Sequence, residues 1–199
     1  MIIARLQPSE AGVAVDVLCD AFHDYPVMRY ILGATPDYDR RLRTLIGFFV
    51  AARVLRNDPM LAAYDGELAV ATAIVTLPGD RPVPEEFDAR REATWQELGA
   101  AERARYEGFG TALKPFVVVE PHHHLNMLGV RSSHAGRGFA RDLLDAVHAL
   151  AEADPDSAGV TLSTETEKNV TLYRHFGYRI LGHVIVGEGL ESWAFFRPR

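Results

Sequence analysis

The segment LGVRSSHAGRGFA, residues 128–140, places two glycines and an arginine where an apolar run gives way to a helical pattern. A helix N-terminus leaves backbone N–H groups unpaired and carries a partial positive charge. Glycines in front of it let these N–H groups converge and let a ligand approach closely. Gly136, Arg137 and Gly138 therefore indicate a site for phosphate or pyrophosphate. A ligand-free strand-to-helix turn is equally compatible with the turn alone, because a short glycine pattern is a weak signal.

Two common nucleotide-binding patterns do not fit this turn. The dinucleotide pattern G-x-G-x-x-G fails because Arg141 stands at its sixth position. The P-loop pattern fails because no Gly-Lys-Ser or Gly-Lys-Thr follows the glycines.

The segment before the turn, EPHHHLNMLGV, carries groups that can accept a proton. Because side chains alternate along a strand, Glu120, His122 and His124 are predicted to share one face. A histidine has the right pKa for a general base near pH 7. His124 could act as that base directly or through water, or could be a strand histidine bonded to a neighbour. It could also bind zinc with His122, but no third ligand is evident in the sequence, so no metal is predicted.

The hydrophobic pattern predicts the elements that hold these segments. A strand over residues 2–6 precedes a helix that begins near Pro8 and ends at Pro26, and a second helix follows over residues 39–57. Asp65 and Gly66 between two apolar runs predict a hairpin. Residues 78–115 are charged, helical in propensity and interrupted by Gly99 and Gly108, which predicts one or two inserted helices.

The second half of the chain alternates regularly between strands and helices. The predicted order is strand 123–130, helix 138–153, strand 159–164, helix 168–176 and strands 178–186 and 191–197. Such alternation is typical of a layered α/β domain.

Composition narrows the class of partners. The 199 residues fit one domain, the net charge is −6, and no run of Lys or Arg is present, so neither nucleic acid nor an anionic membrane is an expected partner. The only cysteine is Cys19, which excludes an internal disulfide and favours a reducing, cytoplasmic location. The sequence shows neither a signal peptide nor a membrane span.

Residues 125–178 resemble the core of the GNAT acetyltransferase superfamily. That family has an R/Q-x-x-G-x-G/A turn for the pyrophosphate of coenzyme A and, about 30 residues later, Asn, then Tyr, then Gly-Phe/Tyr. Here these are the turn at Gly136 and then Asn169, Tyr173, Gly177 and Tyr178. Ala135 departs from the pattern, since the family has Gln or Arg there. The end of the chain, with Trp193 four residues after VIVGEG, is similar to puromycin-type antibiotic acetyltransferases.

The resemblance implies a single GNAT domain over residues 1–199: a mixed sheet of about seven strands flanked by helices, with the helical insertion (78–115) before the fourth strand. It implies acetyl-CoA as co-substrate, with the pantetheine arm against the fourth strand where it splays from the fifth. The implied cofactor-binding residues are Leu128, Gly129, Val130, Ala135, Gly136, Arg137, Gly138, Phe139, Ala140, Asn169 and Tyr173.

The resemblance also implies catalytic roles. Tyr173 would protonate the departing thiolate, because a phenol of pKa about 10 is protonated at neutral pH. Several family members carry a carboxylate six residues before the end of the fourth strand, and His124 stands there, to act alone or with Glu120 or His122 through water. Phe22, Tyr25, Tyr30 and the insertion would flank the acceptor cleft.

Three functions are compatible with these observations. The leading one is acetylation of a small-molecule primary amine; the others are acetylation of a protein lysine or N-terminus, and a catalytically silent acyl-CoA sensor.

The need for a general base depends on the acceptor amine. Deprotonating a lysine-like amine at pH 7 costs roughly 4–5 kcal/mol, whereas deprotonating an aminoacyl amine costs only about 1 kcal/mol, so only the lysine-like amine needs a strong base. The sequence allows a homodimer without specifying one.

Overall fold

The computed structural model describes residues 2–199 as seven strands and seven α-helices. The first half contains β1 (Ile2–Arg5), α1 (Ala11–Phe22), α2 (Pro26–Leu32), α3 (Tyr38–Leu55), β2 (Met60–Asp65), β3 (Leu68–Thr76), α4 (Glu85–Leu98) and α5 (Ala100–Leu113). The second half contains β4 (His123–Val130), α6 (Phe139–Ala153), β5 (Gly159–Thr164), α7 (Glu167–His175), β6 (Arg179–Val186) and β7 (Leu190–Pro198).

The strands form one mixed sheet in the order β1-β2-β3-β4-β5-β7-β6. Within residues 2–199, β4 and β5 are the only parallel neighbours, and every other pair is antiparallel. The predicted α/β class, the seven-stranded mixed sheet and the helical insertion before the fourth strand are confirmed.

Each face of the sheet has its own apolar core. Helices α1, α2 and α3 pack with α4 on one face, and α6 packs on the other. Alternation along β2 serves both cores, since Met60 and Ala62 face the first and Leu61 and Ala63 the second. On α6 the predicted apolar stripe is buried at Phe139, Leu143, Leu144 and Val147.

The structure corrects two predictions about helix ends. Helix α1 already ends at Phe22, and Pro26 begins α2 instead of ending a helix. Proline suits the first turn of a helix, where its missing N–H would have no partner. Within the insertion Gly99 (φ +114°) separates α4 from α5 as predicted, but Gly108 lies inside α5 and breaks nothing.

Candidate functional site

The two parallel strands at the centre of the sheet separate soon after they meet. They pair only at His123 with Val160 and at His124 with Thr161. Beyond these pairs, within the described residues 2–199, residues 125–130 of β4 have no partner on β5, although all of them except residue 126 stay paired with β3. An opening therefore lies between the strands, in agreement with the splay that the family resemblance implies.

A bulge in β4 lies beside this opening. Met127 pairs with Ile74 and Leu125 with Val75, which leaves Asn126 as an extra residue. The side-chain oxygen of Asn126 accepts hydrogen bonds from Arg53 (2.7 Å) and from the Thr76 hydroxyl (2.8 Å). These bonds tie the bulge to α3 and β3.

A cavity of about 790 Å³ extends from the opening towards the insertion. Its floor includes Leu128 of β4, Leu162 and Ser163 of β5, and Tyr173 of α7. Its walls are rich in aromatic rings from α1, α3 and the insertion: Phe22, Phe48, Phe49, Phe87, Trp95, Tyr106, Phe109 and Phe116. Tyr25 also lines the cavity as predicted, whereas Tyr30 does not; its hydroxyl lies beside Gly187.

The glycine turn lies at the other end of the opening. Gly136 (φ +76°) and Gly138 (φ +93°) both have backbone angles that side chains rarely adopt, and α6 begins directly after them. The first N–H after the turn with a backbone acceptor is that of Asp142, which donates to Gly138 (3.2 Å). Within residues 2–199, the N–H groups from Gly136 to Arg141 have no hydrogen-bond acceptor.

A second pocket of about 240 Å³ lies on this turn. It is lined by Gly136, Gly138 and Ala140, by Val130 at the end of β4, and by His175 and other residues of α7. His134 and Arg141 add basic groups to its lining. Free N–H donors and basic side chains around one concave surface suit a phosphate.

Other residues predicted around the turn have side chains engaged elsewhere. Arg137 forms a salt bridge with Asp65 of the β2–β3 hairpin (2.9 Å), and Phe139 is buried in the core. A Cβ on Gly129 would stand 2.7 Å from Ala21, so this glycine lets α1 pack closely on β4. Ala135 is exposed. In this arrangement the Arg137 side chain is paired and that of Phe139 is buried, while the backbone groups of both residues belong to the turn.

Tyr173 lies on α7 with its ring against Tyr178 and Phe195 (centroids 5.6 and 5.7 Å apart). Burial, and then the neighbouring ionisable groups of Tyr25, Tyr178 and Glu165, raise the pKa of Tyr173 well above its usual value. The phenol therefore keeps its proton at neutral pH. Asn169, one turn earlier on α7, lines the same cavity and donates to the Thr164 hydroxyl at the end of β5 (3.0 Å).

The predicted trio of proton acceptors does not share a strand face. Strand β4 begins at His123, so Glu120 and His122 precede it; Glu120 is exposed and does not line the cavity. His122 and His124 both line the cavity, and Nδ1 of His124 lies 2.9 Å from the Thr161 hydroxyl. Burial, then the charges of His122 and Arg53, lower the pKa of His124 to about 4. Within residues 2–199 no three His, Cys, Asp or Glu side chains are grouped to hold a metal ion.

Sequence reasoning missed Glu165, which lies directly after β5 and is 8% exposed. It lines the cavity, and its Oε1 accepts a hydrogen bond from the Ser192 hydroxyl (2.8 Å). Burial raises the pKa of Glu165 to about 7, although hydrogen bonds from Ser192, Ser163 and Tyr25 oppose this. The available signal was a carboxylate at the C-terminal end of a central strand, where ligands of α/β sheets commonly bind.

Comparison with known proteins decides the family. A family model described as the acetyltransferase (GNAT) domain matches residues 86–194, more than half of the chain. The chain belongs to the GNAT acetyltransferases. It is therefore an acyltransferase, with an acyl-CoA as the expected donor, and the splayed strands and glycine turn of this GNAT domain lie within the matched region.

Solved structures share this fold over nearly the whole chain. One is described as histone acetyltransferase HPA2 and related acetyltransferase from Corynebacterium glutamicum (TM-score 0.72, 22% identity, 98% of this chain and 94% of that chain covered). A mosquito arylalkylamine N-acetyltransferase like 5b has a TM-score of 0.62 at 12% identity, with 100% and 99% covered. A ribosomal-protein-alanine N-acetyltransferase from Brucella melitensis has 0.60 at 16%, with both chains covered completely. Among residues 2–199 no helix combines the length and apolar character needed to cross a membrane.

Proposed function

We propose that this GNAT domain transfers an acetyl group from acetyl-CoA to the primary amine of a small, largely apolar molecule, by direct attack of the amine on the thioester. The observation that carries the proposal is the cavity that joins the opening between β4 and β5 to the aromatic walls of α3 and the insertion. A donor entering along the opening and an acceptor held in the cavity would meet beside Tyr173.

The donor side fits a coenzyme A thioester. The unpaired N–H groups of Gly136 to Arg141 suit a pyrophosphate, and the unpaired edge of β4 around Leu128 and Val130 suits the amide groups of a pantetheine arm. Acetyl-CoA, when bound, supplies an acyl carbon that a neutral amine can attack. Ala135 does not weaken this fit, because the donors are backbone groups.

Tyr173 is proposed to hold the proton that the thiolate receives on leaving. Its phenol is protonated at neutral pH and lines the cavity where the two strands diverge. Asn169 holds the start of α7 to β5 through Thr164, which fixes the position of Tyr173 one turn later.

The acceptor side favours a small molecule over a protein. Phe48 contacts both Phe87 and Trp95 (centroids 5.7 and 6.4 Å apart), and Tyr106 stacks between Phe49 and Trp95. Helices α4 and α5 thereby cover the end of the cavity with rings, which suits an apolar or aromatic body. An extended peptide would need an open groove at this place.

The test is release of coenzyme A thiol from acetyl-CoA in the presence of single amines. The probes are phenethylamine, phenylalaninamide and a lysine-containing peptide of ten residues. Turnover of either small amine at least about tenfold above that of the peptide supports the proposal. Preferential peptide turnover would assign a protein substrate, and tight acetyl-CoA binding without thiol release for any probe would assign a sensor.

A further inference from the structure

We propose that Glu165 is the group that accepts the proton of the acceptor amine, held for that task by Ser192 and Tyr25. This inference rests on the proposed function and adds a catalytic residue to it. No sequence motif marks Glu165; it is identified by its position.

Glu165 lines the cavity at the C-terminal end of β5, where the two proposed reactants would meet. It follows the last residue of β5, on the side of the opening away from β4, and it precedes α7, which carries Tyr173. Its backbone N–H donates to the Tyr25 hydroxyl (3.1 Å), which is also hydrogen-bonded to the Thr164 hydroxyl (2.8 Å). Because Ser192 fixes Oε1 from β7, backbone and carboxyl are each held by a different neighbouring element.

The groups around Glu165 are neutral. Those that bond to it or interact with its carboxyl are Tyr25 directly before α2, Ser163 of β5, Tyr173 of α7 and Ser192 of β7. The charged or titratable residues elsewhere in the cavity are Arg53, Arg91, Arg103, Tyr106, Glu107, His122 and His124. Within residues 2–199 none of them forms a salt bridge with Glu165. A cationic ammonium group in the cavity would be a suitable charge partner for this buried carboxylate.

The two candidate bases differ in strength. A base works best when its pKa lies near the working pH. The pKa of Glu165, raised by burial to about 7, meets that condition, whereas the pKa of His124, lowered by burial to about 4, leaves little affinity for the proton. Burial acts in opposite directions because it disfavours the charged form of each group.

The proton balance is complete with the residues named. The ammonium group passes one proton to the Glu165 carboxylate, and the neutral nitrogen then forms a bond to the acyl carbon while the carbon–sulfur bond breaks. The thiolate takes a proton from Tyr173, and the phenolate regains one from the acylated nitrogen. The products are the amide, coenzyme A thiol and a protonated Glu165, which loses its proton to water.

The decisive experiment compares wild type with Glu165→Gln, using phenethylamine and acetyl-CoA. Glutamine keeps the shape and an acceptor for Ser192 but cannot take a proton. We expect kcat/KM at pH 7 to fall by about 10²-fold or more. Wild type should show a fall in kcat/KM below about pH 7, the acidic limb of its pH profile, and we expect this limb to be absent from Glu165→Gln. The acetyl-CoA affinity of the variant should stay within about twofold of wild type. With phenylalaninamide at pH 8 the loss should be under about tenfold, because that amine is largely neutral already.

Glu152→Gln is the matched control, because Glu152 lies on α6 outside the cavity lining and is paired with Arg197 (3.1 Å). It should change kcat/KM less than about threefold. A Glu165→Gln enzyme that keeps at least a third of its activity and an unchanged acidic limb overturns the inference. If the limb persists there but disappears in His124→Ala, His124 is the base. If wild type itself acetylates no probe amine, the proposed function fails, and this inference fails with it.

Two further readouts separate a catalytic from a structural role. Ser192→Ala keeps the carboxylate but removes a hydrogen bond that favours its ionised form, so the acidic limb should move to higher pH without disappearing. Burial makes Glu165 harder to ionise in the folded protein than in the unfolded chain. The protonated carboxyl therefore contributes fully to the free energy of unfolding below about pH 4.5, and this contribution is lost as the pH rises towards about 7. The melting temperature of wild type relative to Glu165→Gln should therefore fall over that range. An unchanged limb in Ser192→Ala, or a pH-independent difference in melting temperature, contradicts the inference.

Discussion

The two ends of the cleft are built in different ways. The glycine turn offers backbone N–H groups from consecutive residues, Gly136 to Arg141, whose geometry depends on two positive φ angles. The acceptor cavity is built from side chains of α1, α2, α3, both helices of the insertion and four strands. A ligand at the first end meets a shape that is nearly independent of side-chain identity, whereas a ligand at the second meets a surface that side chains define.

This difference predicts that substitutions at the two ends should have separable effects. Changes at the turn should alter the affinity for acetyl-CoA, and changes in the cavity should alter the KM of the acceptor. Only substitutions of residues at the junction of the two ends should change kcat without changing the acetyl-CoA affinity or the acceptor KM.

Tyr173→Phe tests the meeting point and should have the largest effect. Removal of the hydroxyl leaves the ring packed on Tyr178 and Phe195 but removes the proton for the thiolate. We expect kcat to fall by about 10²–10⁴-fold, with acetyl-CoA affinity within about twofold by calorimetry. Tyr178→Phe is the control: its hydroxyl bonds His148 (3.0 Å) away from the cavity, and turnover should stay within about threefold. A loss under threefold for Tyr173→Phe would leave Tyr173 a packing residue.

Gly138→Val tests the turn. The positive φ disfavours valine, and its methyl groups would stand where phosphate must approach the N–H groups. Acetyl-CoA affinity should weaken by at least about tenfold, since several charge-assisted hydrogen bonds are lost. Gly79→Val introduces similar strain at φ +88° outside the cleft and should leave affinity unchanged. Equal affinity in wild type and Gly138→Val would place the pyrophosphate elsewhere.

Gly182→Ala tests the acceptor end and should have the smallest effect. A Cβ there would stand 2.0 Å from the ring of Phe116, which must move, and Phe116 lines the cavity. We expect the KM for phenethylamine to rise by about two- to tenfold, on the scale of one altered apolar contact, with acetyl-CoA affinity unchanged. Gly110→Ala, an open position on α5, is the control and should match wild type. A change in acetyl-CoA affinity in Gly182→Ala would contradict the separation of the two ends.

The difference between a local turn and a cavity built from distant parts of the chain also explains which features could be predicted from the sequence. The turn, β4 and α6 are local, and their glycines and apolar spacing lie within 30 consecutive residues, so their positions were predicted to within one residue. The hairpin at Gly66 followed from a similarly local pattern, whereas the seven-stranded mixed sheet followed from the family resemblance. The roles of the individual site residues remain predictions.

Long-range contacts limited the remaining predictions. Glu165 becomes a candidate only because Tyr25 and Ser192, 140 and 27 residues away along the chain, surround it. The proposed strand face with Glu120 failed because β4 begins three residues later, at His123. Pro26 was misread because a proline marks a helix start and a helix end alike.

The placement of the aromatic rings has a consequence for how such an enzyme diversifies. Phe87, Trp95, Tyr106 and Phe109 belong to a helical segment that is inserted in the chain between β3 and β4. Substitutions there reshape the acceptor end without touching the turn, Tyr173 or Glu165. Specificity for the acceptor can therefore change through substitutions in this one segment while the residues proposed for the chemistry stay the same.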